Sequence, residues 1–504
     1  MDRRARSALT IALVAFALPT FANDEAKLGK VHFKVECTEA AQAEFNMAMA
    51  YYHSFAWSQM QAPLERVLKA DPSCGMAHWA RALASLNNPF AWPTIIPAPA
   101  LAEGQRILEQ AERTGLKSKR ERDYVAALGA FFADQDKMDH KARARALESE
   151  LEQLMRRYPR DEEAATLYGL ILSSNFDPTD KKYTNQLKAA KILEKIFLDQ
   201  PDHPGAAHYL IHSYDYPPIA KRGLTAAVRY GRIAPDAPHA LHMPSHIFTR
   251  VGAWRESIES NAASARAAGN KGYEKWHAYD YMVYAHLQLG EHEAARGVID
   301  DAMKNAARAD HPATAYAYAA MPARVALERA AWKEAAALEL VADFPWKKYT
   351  FAEAVNAFAR GIGAAMSGDP ALARAQVERL EKLREATPLP YWAEQIAIQA
   401  EVVKGLALLA EGDDKPALAT LRAAAKREDA TEKHVVTPGP LVPAREVLAY
   451  VLLDKGEAKS ALREFETVLA KEPNRLRALA GAAQAAERSN NRKKAKDYSA
   501  KLPI

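Results

Sequence analysis

Apolar residues recur three and four positions apart along most of the chain, and the two-residue alternation of a half-buried strand is nowhere sustained. The segment 444–474, AREVLAYVLLDKGEAKSALREFETVLAKEPN, shows the unit clearly. Leu448 and Ala449 belong to one amphipathic helix, and Ala461 and Phe465 to a second. Gly456 sits between them as a turn, and Pro473 stops the second helix because it can donate no backbone hydrogen bond. The small residues let two antiparallel helices approach while the large ones fill the seam. An earlier copy at 41–72 has Tyr51, Leu64 and Pro72 in register, and Pro159, Pro201 and Pro235 close further helices. Pro201 and Pro235 are 34 residues apart.

A 34-residue helix pair is the period of the tetratricopeptide repeat (TPR). The expected fold is therefore all-α: a TPR-type α-solenoid, a right-handed superhelix of about nine to eleven hairpins whose neighbours stack into one continuous core. The expected division is 1–22 signal peptide, 23–115 N-terminal hairpins, 116–310 central array, 311–436 C-terminal hairpins, and 437–504 terminal repeats and cap. Two proline-rich stretches, 87–100 and 437–443, read as loops at superhelix edges.

Composition narrows the class. The 504 residues are 49% hydrophobic and 26% charged, with formal net charge +5. Positive and negative residues intermingle and no basic stripe carries interleaved aromatics, so no nucleic-acid partner is expected. MDRRAR followed by ALTIALVAFAL and small residues at Thr20 and Ala22 has the form of a cleavable export signal, with cleavage after Ala22. No later run of about 20 apolar residues appears, so the expected mature protein is periplasmic or secreted, with no transmembrane segment. Its two cysteines, Cys37 and Cys74, read either as a disulfide tying the first hairpin to the next or as two buried thiols.

The candidate chemistry lies in the histidines. Nine of the 15 fall between 203 and 292. With repeats framed at 204–237, 238–271 and from 276, three neighbouring hairpins aim ring nitrogens into one concave groove: His208, His212 and Asp215; His239, His242 and His246; His277 and Asp280. His208, His212 and Asp215 also share a helical face by spacing alone. Imidazole nitrogen suits a borderline transition ion such as zinc, copper or iron, and a carboxylate can ligate or orient a ring. His208, His212 and His246 lead the ligand set, His242 and His277 follow, and Asp215 is a ligand or an orienting acid. HYLIH at 208–212 has zincin spacing without the glutamate base, which argues against that peptidase chemistry. Pro244 should start a helix, leaving His239 and His242 in the entering turn. His53 faces the groove but too far along the superhelix to join. Taken singly, a groove histidine is a solvated polar side chain. Taken together, the alternative to a metal site, with or without enzymatic activity, is a groove binding a protein or peptide partner.

HPGAAHYLIHSYDYP (203–217) and APHALHMPSHIFTRVGAWRESIESN (237–261) resemble a large family of exported bacterial TPR proteins. YYHSFAW (51–57), DPSCGMAHWARAL (71–83) and EKHVVTPGPLVPAREVLAY (432–450) resemble its N- and C-terminal motifs. The resemblance implies the repeat fold and export and marks His208, His212, Asp215, His239, His242, His246 and His277; His78 departs from the family pattern. It implies no particular reaction.

Overall fold

The computed structural model describes residues 26–92, 96–134, 137–270 and 272–503. The segment 1–22, expected as a signal peptide, lies outside them. Every element among the described residues is helical. Of the twenty-five α-helices among the described residues, Pro238–His242 and Pro244–Val251 are halves of one interrupted helix, so these residues form twelve consecutive pairs, slightly more than the pattern predicts. Helices pack on their chain neighbours throughout, as in an α-solenoid of TPR-like hairpins. Among the described residues, no helix is long and apolar enough to cross a membrane.

Two large cores carry the array. One runs from Leu28 to Phe248 and the other from Tyr316 to Ala486, with a smaller cluster around Trp276, Tyr279 and Tyr318 between them. Cys37 and Cys74 form a disulfide across 37 positions, which joins the segment entering the Glu39–His53 helix to the turn before the Met76–Ala84 helix.

The solenoid curls back on itself, which the repeat pattern does not reveal. Trp254 donates its indole N–H to Asn474 O (3.0 Å), and Gln288 accepts the Leu476 amide (2.9 Å). Gly252 ends its helix with φ at +70°, and a Cβ there would stand 2.3 Å from Pro473 O. Only glycine permits both the turn and this close approach of the C-terminal repeat. The stretch 431–443 crosses the interior, including the segment 437–443, expected as a loop at a superhelix edge. Thr437, Leu441 and Val442 are buried, and Tyr281 donates to Thr437 O at 3.1 Å.

Candidate metal centre

Local sequence sets the ring positions. His203 caps the Pro204–Tyr214 helix, its Nδ1 accepting the Ala206 amide at 3.2 Å, and Pro204 occupies the first turn, where no donor is needed. The helix presents His208 and His212 one turn apart and ends at Tyr214, leaving Asp215 as its C-cap. Pro238 and Pro244 each open a short helix. Pro244 thus begins a helix as its ring requires, but the entering turn with His239 and His242 is itself a helical turn. His277 lies on the Gly272–Gln288 helix.

Six imidazoles gather here in two trios. The nitrogens of His208, His212 and His239 lie within 4.8 Å of one another, as do those of His242, His246 and His277. In each trio two rings are buried and one, His239 or His277, is partly exposed. The grouping differs from the expected one: His246 does not share a trio with His208 and His212. Asp280 is turned away and pairs with Arg324 at 2.9 Å.

The surroundings fix the tautomers. His208 donates Nδ1–H to the His53 carbonyl at 2.6 Å. His242 donates Nδ1–H to Asn261 Oδ1 at 2.6 Å, and the Asn261 amide is oriented by donating its own N–H to Ser257 O at 2.7 Å. His246 donates Nδ1–H to Asp215 Oδ2 at 2.8 Å. Each of these rings therefore carries its lone pair on Nε2. Yet the Nε2 atoms of His242 and His246 are 3.0 Å apart, two acceptors facing each other. His208 Nε2 faces His239 Nε2 at 3.1 Å, and His212 Nε2 is buried with no hydrogen-bond partner. Two nitrogens about 2.0–2.1 Å from one ion, with a bond angle of roughly 90–100°, stand about this far apart.

Asp215 gathers three buried side-chain donors. Besides His246 it accepts Arg250 Nε at 2.8 Å and Lys433 Nζ at 2.7 Å. Burial by itself would raise its carboxyl, but Lys433 and Arg250, with His246, hold it well below the usual range. Burial pushes the Lys433 ammonium down to about 8 against the pull of Asp215. His208, His212, His239, His242 and His277 are held well below the ordinary imidazole value, by burial first and then by neighbouring cationic forms. Burial also lowers His246, although Asp215 opposes it. A proton shared between His242 and His246 is therefore a poor remedy for their facing lone pairs.

Aromatic rings wall the first trio. Phe90 stacks on His212 with centroids 3.7 Å apart, and Phe55 lies 4.4 Å from His208 and 5.3 Å from His239. Phe55 holds φ at +54°, a left-handed conformation costing on the order of 1–3 kcal/mol for a side-chain-bearing residue. Tyr281 lies against the second trio, 4.8 Å from His242 and 5.3 Å from His277.

A third group, His53, Glu163 and His203, is of another kind. Glu163 accepts His53 Nε2–H (3.0 Å) and His203 Nε2–H (2.9 Å), while His53 Nδ1 accepts the Tyr209 hydroxyl at 2.9 Å. With His203 Nδ1 occupied by the Ala206 amide, no imidazole lone pair is left for an ion. His53 nonetheless reaches the centre through its carbonyl, which the repeat frame misses. Arg250, Lys433 and Thr437 also line a cavity of about 470 Å³ with an aromatic wall that includes Tyr316, Phe351 and Trp392.

No protein-family model matches this chain, and no curated protein matches it. Among solved structures, the human IFIT1 dimer with m7Gppp-AAAA is 14% identical, covers 82% of this chain and 90% of its own, and has a TM-score of 0.40. The P58(IPK) TPR domain is 11% identical over 90% of this chain and 99% of its own, at TM-score 0.24. Naa15/Naa10 bound to HypK is 13% identical over 90% and 68%, at TM-score 0.25.

Proposed function

We propose that this protein is an exported TPR-type metalloprotein whose imidazole core binds a late transition metal, zinc, copper or iron. The supporting observation is the pair His242 Nε2 and His246 Nε2, 3.0 Å apart with both Nδ1 atoms already donating. An ion turns two opposed lone pairs into two coordinate bonds, and the Asn261 and Asp215 contacts are the outer-sphere partners that a metal-bound histidine commonly has. Asp215 orients His246 rather than ligating, because Arg250 and Lys433 already occupy its oxygens. Three neutral imidazoles leave a coordination position open, where water is activated or a small substrate polarised. That makes a metal-assisted reaction available without naming its substrate.

The alternative, a peptide or protein partner lying along the imidazoles, needs surface that four of the six rings lack: His208, His212, His242 and His246 are at most 4% exposed. Metal analysis of protein purified without a histidine tag tests the reading. Bound metal that falls in a His242→Ala/His246→Ala variant supports it. A wild-type chain that takes up no zinc, copper or iron on reconstitution overturns it.

A further inference from the structure

We infer that the core is a two-ion centre, with one ion on His208, His212 and His239 and a second on His242, His246 and His277, both suited to copper. This rests on the metal reading above and goes beyond it in number, placement and identity of the ions.

Each trio is a complete ligand set. One nitrogen from each ring lies within 4.8 Å of the others, so a small inward shift of the rings brings all three to a single ion. Each also has its own anchor: the His53 carbonyl fixes His208, whereas Asn261 and Asp215 fix His242 and His246. Each has its own unmet need as well. An ion on the second trio relieves His242 and His246 but leaves His212 Nε2 buried without a partner. An ion on the first trio satisfies His212 but leaves the two lone pairs of the second opposed. One ion cannot do both, and an unsatisfied buried polar atom costs about 1–3 kcal/mol.

The trios adjoin. His212 and His246, one from each, have ring centroids 5.7 Å apart, little more than the 5.0 Å between His208 and His212 within a trio. Ions seated in both stand near enough to share one small bridging ligand such as hydroxide. His239 and His277, the partly exposed member of each trio, mark the side from which ions enter.

The donor set favours copper. The neighbouring carboxylates are taken: Asp215 by Arg250 and Lys433, Asp280 by Arg324, and Glu163 by His53 and His203. All six ligands are therefore neutral imidazoles. Copper(II) heads the divalent series for nitrogen ligands, and copper(I), with a single charge, is the less costly ion to bury without a carboxylate.

The test is titration of metal-free, full-length protein with copper(II), read by bound copper per chain and by electron paramagnetic resonance. The expected result is saturation at two equivalents, with a resonance intensity well below two isolated spins because the paired ions couple. His208→Ala/His212→Ala and His242→Ala/His246→Ala should each bind one equivalent and give a full-intensity mononuclear signal. His239→Asn and His277→Asn, each changing one partly exposed ring, provide milder variants that should weaken one equivalent apiece. Saturation of the wild type at one equivalent overturns the two-ion assignment while leaving the metal reading intact. Two equivalents with the full intensity of uncoupled spins overturn the shared-ligand placement, and tighter zinc than copper binding overturns the preference. No uptake at all overturns both readings, and the wild-type count needs no variant to fold.

Discussion

Lys433 Nζ lies 2.7 Å from Asp215 Oδ2, across 218 positions of sequence. The side chains of both residues are almost wholly buried, at 5% and 7% exposure. Through Asp215 the pair touches His246, so the interior strap from the C-terminal repeats is wired to an imidazole of the central helices.

Replacing Lys433 by Met should therefore destabilise the fold by about 3 kcal/mol, the lower end for breaking a buried ion pair, because Arg250 still holds Asp215. Urea denaturation measures it. A change within about 0.5 kcal/mol, the range of an ordinary surface substitution, contradicts a structural role for the contact.

Asn261→Leu separates metal binding from stability. It removes the acceptor for His242 Nδ1–H, so the ring can shift its proton to Nε2 and donate to His246. That relieves the metal-free protein and blocks a ligand atom. Metal affinity should fall about 10- to 100-fold, the usual effect of losing an outer-sphere partner, with little loss of melting temperature for the apoprotein. Unchanged metal affinity measured by competition with a chelator would argue against this ring as a ligand.

The Cys37–Cys74 disulfide closes a loop across 37 positions. A crosslink of this span stabilises by about 3–4 kcal/mol through the unfolded chain. Reduction, or Cys37→Ala/Cys74→Ala, should lower the denaturation midpoint accordingly. Equal midpoints with and without reductant would rule out this contribution.

Glu428 lines the cavity and accepts the Ala444 amide at 2.8 Å. Burial raises its carboxyl from 4.5 to about 7. The folded state thus holds this proton more tightly than the unfolded state. Stability from this group is full below pH 4.5, falls as pH rises towards 7, and is constant above. Glu428→Gln keeps an acceptor for Ala444 but no charge. It should melt higher than the parent at pH 8 and alongside it at pH 4. Parallel melting curves at all pH values would contradict the shift.

The repeat fold was legible because its signals are local. Gly456, Pro473 and the helical spacing of Leu448, Ala461 and Phe465 each act within one hairpin. The closure of the array was not, because contacts such as Trp254 with Asn474 join positions that share no period. The site was legible as a set of rings and less so as a geometry. Helical spacing extended the His208–His212 face to Asp215, but the helix stops at Tyr214, and the carboxylate turns at the cap to meet Arg250 and Lys433. The repeat frame, with Pro244 consigning His239 and His242 to an entering turn, grouped His246 with His208 and His212, whereas its nitrogen lies with those of His242 and His277. Asn261, Arg250 and Lys433 all lie inside the segments 237–261 and 432–450 that carry the family resemblance, but sequence reasoning assigned them no role because their partners are distant in the chain.

The strap at 431–443 also bears on the order of assembly. A chain delivered from its N-terminus presents His208 and His246 long before Lys433 and Thr437 exist to seat against Asp215 and Tyr281. Until then the rings are open to any passing ion. Once the last repeats dock, only His239 and His277 keep partial exposure, so completing the fold narrows all traffic with the core to the side of those two rings.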